Sequence, residues 1–200
     1  MDYFPWINDD NDEDLAWVMS MPPEIDKKSY LILEDKEIGE WLPPEIVVNI
    51  SADKGIFIAD FLPTVIGLHI LSKKLRDILT EEAGSDFNFY PVVLKNAKGR
   101  VEKKEYFLAH LKRTLDCVDK TKSDIAYSPI NPERAHRIRK LYLDEERIPD
   151  DVKIFKLKEK PRLWLTRKDL ALKIYRENNN CRGMLFIKLE DYGKMWRKKD

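Results

Sequence analysis

Three histidines (His69, His110, His136), two cysteines (Cys117, Cys181) and 36% charged residues are the raw material for any chemistry in this 200-residue chain. A metal centre needs imidazole or thiolate ligands at short, fixed spacing. The histidines are scattered, and neither HExxH nor CxxC occurs. A nucleotide site needs glycines where backbone approaches phosphate. The seven glycines form neither GxGxxG nor a P-loop, and no GxSxG elbow is present. Cys117 lies in Leu115-Asp116-Cys117-Val118-Asp119, which reads as a small core residue rather than a nucleophile. Asp60 interrupts the apolar run from Ile56 to Leu62, and a carboxylate there must find a partner or shift its pKa. The reading preferred is a strand-end carboxylate bonded to backbone amides. A hydrolase working through carboxylates remains an alternative function.

The charges are unevenly spread although they sum to zero. Residues 1–50 hold 13 acidic and 3 basic side chains, and residues 51–200 hold 23 acidic and 33 basic. Asp9, Asp10, Asp12, Glu13 and Asp14 concentrate the acid, and they are the candidate partner-binding residues. Such a cluster steers a basic partner, or equally serves the start of a helix. Lys153, Lys156, Lys158, Lys160, Arg162, Arg167 and Lys168 concentrate the base, with Phe155 and Trp164 interleaved. Basic residues with exposed aromatics suit a nucleic-acid strand. A solvated lysine face that protects a sheet edge explains the same residues and is preferred.

The elements that would position these residues follow from periodicity. Tyr3 to Ile7 reads as a strand. The acids before Leu15-Ala16-Trp17-Val18-Met19 predict a helix that Pro22-Pro23 stops. Short strands are expected at 30–33 and 46–50. Leu71, Leu75, Ile78 and Leu79 form one stripe of a helix starting at Ser72 and stopping near Gly84. Phe87–Leu94 and a return strand from Val101 to Leu111 flank the turn Asn96-Ala97-Lys98-Gly99. Residues 119–136 read as a long loop. Strands are expected at 137–143, 153–158 and 163–165. A second helix is capped by Thr166, with Asp169 three residues on, and ends at Asn178-Asn179-Asn180. A last strand covers 183–189, and Trp196 lies in a basic tail. Strands broken by one mid-chain and one late helix predict an α+β fold, mostly antiparallel sheet with a few packed helices.

With 43% hydrophobic residues the chain can bury a core. Its opening lacks the basic start and apolar run of a signal peptide, and no apolar stretch reaches membrane-spanning length. A cytoplasmic protein with no membrane partner is therefore expected.

An ordered succession of segments adds a resemblance. Asp60-Phe61-Leu62-Pro63 is followed by the helix Leu71–Leu79, then Phe89-Tyr90-Pro91-Val92 and Tyr106-Phe107-Leu108. Leu115–Asp119, Leu141–Pro149, Ile154–Leu157 and Leu163–Thr166 complete it. This series resembles the immunity-protein family eleven of bacterial polymorphic toxin systems, over about residues 56–190. The resemblance implies a variable N-terminal region, 1–55, and an immunity-protein-like α+β domain, 56–200, and the length suits one compact unit. It implies a non-catalytic protein that binds and neutralises a cognate toxin protein. It brings no cofactor and no catalytic residues. The toxin's chemistry, the face that binds it and the oligomeric state stay open.

Overall fold

The computed structural model describes residues 2–175 and 180–194, so the expected helix end at Asn178-Asn179 and Trp196 lie outside the described residues. The fold is α+β, with mostly antiparallel sheets and a few helices. The chain divides into two compact units.

The first unit takes the described parts of Met1–Ile7, Arg113–Leu172 and Leu185–Asp200. Its main strands are β1 (Tyr3–Asn8), β7 (Thr114–Leu115), β10 (Ile154–Leu157), β11 (Trp164–Arg167) and β12 (Met184–Phe186). They form one sheet in the order β12-β1-β11-β10-β7. β1 and β10 both run antiparallel to β11, with Tyr3 opposite Arg167 and Phe155 opposite Leu165. β7 runs parallel to β10. A separate two-stranded ribbon pairs β8 (Asp124–Tyr127) with β9 (Ala135–Lys140). The ribbon's first strand lies where a loop is expected, and its second begins in that loop and runs into the strand expected at 137–143. Its strands are short, and Ile125 and Ile138 are its main apolar residues, so the periodic signal is faint. α3 (Leu189–Tyr192) is a single turn. Tyr3, Cys117, Ile138, Phe155, Leu157 and Leu165 lie in this unit's core. The Tyr3 hydroxyl donates to Val152 O at 2.6 Å, and burial pushes its pKa up to about 12.

The second unit takes Asn8–Lys112 and the described part of Lys173–Met184. Its strands are β2 (Val47–Asn49), β3 (Phe61–Leu62), β4 (Ile70–Ser72), β5 (Phe87–Lys95) and β6 (Tyr106–Leu111). Their order is β2-β5-β6-β4-β3. Only β2 against β5 is parallel among the pairings of this sheet. α1 (Lys73–Ala83) follows β4 directly. Ser72 caps it, accepting from Leu75 N–H at 3.3 Å, and Leu75, Ile78 and Leu79 bury the expected stripe. The turn after β5 holds Gly99 at φ +74°, the left-handed region that glycine enters at no steric cost. The core includes Ala16, Val18, Ile25, Ile38, Val48, Ile70 and Tyr106.

Three expected elements take other forms. Residues 15–19 are not helical: Ala16 N–H donates to Phe57 O at 2.9 Å and Val18 N–H to Pro63 O at 3.0 Å. Long-range pairing satisfies those amides and buries Leu15, Ala16 and Val18, which a short isolated helix would not do. The expected strand at 30–33 is the end of a 3₁₀ helix, Asp26–Leu33, closed by Glu34 N–H to Leu31 O at 3.0 Å. Thr166 lies within β11 rather than capping α2 (Lys168–Tyr175). The pairings with β1 and β10 claim its backbone.

Candidate functional site

The five acids of the candidate cluster form a tight turn in the second unit. Asp9 Oδ1 accepts from Asn11 N–H at 3.2 Å, and Asp12 Oδ1 accepts from Asp14 N–H at 3.2 Å. These are self-capped aspartate turns, which is why the acids do not open a helix. Asp10, Glu13 and Asp14 are exposed, while Asp9 and Asp12 are half-buried. With Asn11, Asp9, Asp12, Glu13 and Asp14 line an open depression of about 570 Å³.

The turn is fastened to the unit at its end. Phe57 N–H donates to Asp14 O at 2.8 Å. A Cβ on Gly55 would fall 2.1 Å from that same carbonyl oxygen, so only glycine permits the approach. Arg182 pairs with Asp12 and lays its guanidinium 4.0 Å from the Phe57 ring centroid. Beside it Ile56 is 91% exposed. The acidic turn is thus held rigid next to an apolar side chain in full contact with solvent.

Asp60 behaves as a structural carboxylate. Its Oδ1 accepts from Ser72 Oγ at 2.8 Å, and its backbone oxygen accepts from Ser72 N–H at 2.7 Å. Arg182 N–H approaches its Oδ2 at 3.4 Å.

The two cysteines are free and buried. Burial, then the charges of Glu159, Asp116 and Asp144, pushes the Cys117 thiol up to about 12. Burial and Asp60 push Cys181 up to about 11. Both stay protonated at neutral pH, and a thiol is a poor nucleophile. The histidines do not converge. His110 is fully buried with Nε2 2.8 Å from Glu34 O, and His136 is exposed on β9. Among the described residues no group of three His, Cys, Asp or Glu side chains could hold a metal ion.

The basic segment is absorbed into the first unit. Ile154, Phe155, Lys156 and Leu157 are all buried, so β10 has no solvated lysine face. Lys158 Nζ pairs with Asp116 at 3.1 Å and Lys168 with Asp2 at 3.2 Å. Arg167 grips both Asp169 oxygens at 2.8 Å. Lys160 Nζ donates to Ala135 O and His136 O at 3.4 Å, and burial lowers its pKa. Phe155 and Trp164 are core residues at 0% and 2% exposure. They offer no stacking platform for bases, and most of these cations already face acids or carbonyls of the unit.

Glu159 is 2% exposed. Its Oε1 lies 3.8 Å from Lys120 Nζ, and its Oε2 has no hydrogen-bond partner among the described residues. Burial raises its pKa above the ordinary carboxylate value. A group whose pKa is higher folded than unfolded contributes its stability fully below the unfolded value. That contribution is lost as pH rises through the folded value. Glu159→Gln keeps the shape without ionising. It is expected to be more stable than wild type at pH 7 by about 1 kcal/mol, with the gain gone near pH 4. Thermal melts at both pH values check this. A lower midpoint at pH 7 would show that Lys120 outweighs the cost of burial.

A second surface of the second unit had no sequence signal. Glu37 is exposed, yet its carboxylate is fixed. It accepts from the Tyr90 hydroxyl, from Asn88 Nδ2 at 2.6 Å, and from the amides of Ile38 and Gly39 at 3.2 Å. The Tyr90 bond, with the other donors, pulls its pKa down to about 2. Burial, then Glu37, pushes Tyr90 up to about 12. Glu37 borders an open groove of about 560 Å³ whose other walls include Phe87, Phe89, Phe107 and α1. Phe87 and Phe89 stack at 5.2 Å, and Arg76, paired to Asp77, covers Phe107 at 4.3 Å. Glu37 and Tyr90 are 53 residues apart, so no local pattern could announce them.

Among the described residues, no helix is long and apolar enough to cross a membrane. A comparison with protein families matches residues 8–191 to a model described as an immunity protein family (Imm11). No curated protein matches the chain.

Proposed function

The chain belongs to the immunity protein family Imm11, and from that premise we propose that it binds a cognate bacterial toxin domain and neutralises it without catalysis. The observation that carries the reading is the extent of the match, residues 8–191, which runs through both units. The place of action proposed is the bacterial cytoplasm, where an antidote to a toxin of a polymorphic system would meet its target.

The acidic turn is proposed as part of the toxin contact. Five carboxylates with one arginine pairing to Asp12 make a local negative field. Fields of this kind raise association rates with a basic surface, and the rate falls with salt. Ile56, standing in solvent beside the turn, supplies an apolar anchor of the kind interfaces place inside a polar rim.

The test is co-expression of the toxin encoded beside this chain, with and without the protein, followed by co-purification. Rescue with a stable complex is expected. Rescue without a complex would instead indicate an enzyme that reverses the toxin's damage. Neutralising the turn (Asp9→Asn, Asp10→Asn, Asp12→Asn, Glu13→Gln, Asp14→Asn) keeps the side-chain acceptors of its aspartate caps. The variant is expected to associate about tenfold more slowly at low salt. An unchanged rate would remove the turn from the interface.

A further inference from the structure

We infer that the groove beside Glu37 receives an arginine side chain protruding from the protein partner; this rests on the immunity reading and names a contact within it. The starting point is an exposed carboxylate held still. A free surface glutamate gives up rotamer freedom when it pairs, which is why exposed ion pairs contribute little. Glu37 has already lost that freedom, because Tyr90, Asn88 and two backbone amides fix it. A partner cation would meet an acceptor in place, and preorganisation of this kind converts directly into affinity. Capacity remains as well. A carboxylate has about four acceptor positions, and among the described residues the bond to Oε2 comes from Asn88.

The charge and the walls select the occupant. Residues 34–40 carry Glu34, Asp35, Glu37 and Glu40 against Lys36 alone. Arg76 is occupied by Asp77. An anionic ligand would therefore meet net negative charge, and a cation is favoured. One wall is aromatic: half-buried Phe89 faces the groove with Glu37, and the buried Phe87 ring stacks against it. A planar guanidinium stacks on aromatic faces and donates in a fork to a carboxylate, which the compact lysine ammonium does less well. The same groove contains this arrangement within the chain, where the Arg76 guanidinium covers Phe107 and pairs with Asp77. Arginines seated in this way are frequent hot spots of protein interfaces.

The experiment uses the full chain and the toxin encoded beside it. Glu37→Gln keeps an acceptor oxygen for Tyr90 and both backbone amides, removes the charge, and turns an amide donor toward Asn88, whose own amide must flip to accept it. Its affinity for the toxin is expected to fall about tenfold or more, with weaker salt dependence, while circular dichroism shows the variant still folded at the assay temperature. Phe89→Ala is expected to weaken binding without altering the salt dependence. A Glu37→Gln variant that binds within about twofold of wild type would overturn the inference while leaving the immunity reading standing. A salt response equal to wild type would also overturn it, because Glu37 would then only tether the 37–39 turn to β5. Failure of the wild-type protein itself to rescue or bind would overturn both.

Discussion

Gly183→Ala is expected to unfold the second unit, with a loss of at least about 4 kcal/mol. Gly183 adopts φ +99°, which a residue with a Cβ enters only at a cost of about 1–3 kcal/mol. The steric term is larger. An ideal Cβ would fall 1.9 Å from Phe61 O and 2.8 Å from Ala59 Cβ, well inside van der Waals contact. The obstacle is backbone, so no side chain can swing aside. Relief would require Arg182 and Phe61 to part, breaking the Phe61 N–H to Arg182 O bond of 3.0 Å. The bond from Asp9 N–H to Gly183 O at 3.2 Å would follow, and with it the base of the acidic turn. Denaturant titration measures the loss. A variant within about 1 kcal/mol of wild type would show that residues 180–184 can shift without disturbing β3.

Trp164→Ala is expected to cost about 3–5 kcal/mol and to collapse the first unit's sheet around β1. Trp164 is 2% exposed on β11, directly opposite Trp6 on β1. The two rings meet edge to face at 5.6 Å, and Trp6 meets Phe186 in the same way at 5.0 Å. Removing the indole leaves a cavity against the Trp6 ring, and β11, paired along both edges, cannot shift to close it. Trp164→Phe retains a ring at the same place and is expected to lose roughly half as much. Near-ultraviolet circular dichroism reports the ring cluster, and denaturant titration reports the energy. Equal losses for the two variants would mean that volume at this site matters less than a feature specific to indole.

The sequence carried the fold class because its strongest periodic signals are local. Leu71, Leu75, Ile78 and Leu79 recur at helical spacing behind a serine cap, and α1 forms there. The run from Phe87 to Leu94 and the Asn96–Gly99 turn likewise mark β5 and its exit. The failures occurred where a distant partner decides. Residues 15–19 are extended because Phe57 and Pro63 offer carbonyls, which no window around residue 17 reveals. The alternation of Lys153–Lys158 predicts one wet face, but β7 and β11 flank β10 and all four of its residues are buried. The acidic cluster was legible as charge, whereas its rigidity was not, since that depends on Gly55 and Arg182. The Glu37 carboxylate looked like one of 36 acids until Tyr90 and Asn88 came up beside it.

The pairing of β1 with β11 also sets a clock. Tyr3 meets Arg167 and Trp6 meets Trp164, so β1 leaves the ribosome well ahead of the distant strand it must pair with. At about 5–20 residues per second, roughly 8 to 30 seconds separate the two during synthesis. Over that interval Tyr3 and Trp6 have no strand to join, and the sheet of the first unit cannot close. Chains cut short before β11 would be left without the centre of that sheet. Under the proposed function, protection is then a property of finished molecules: the stock completed before the toxin arrives counts, and chains still in translation do not.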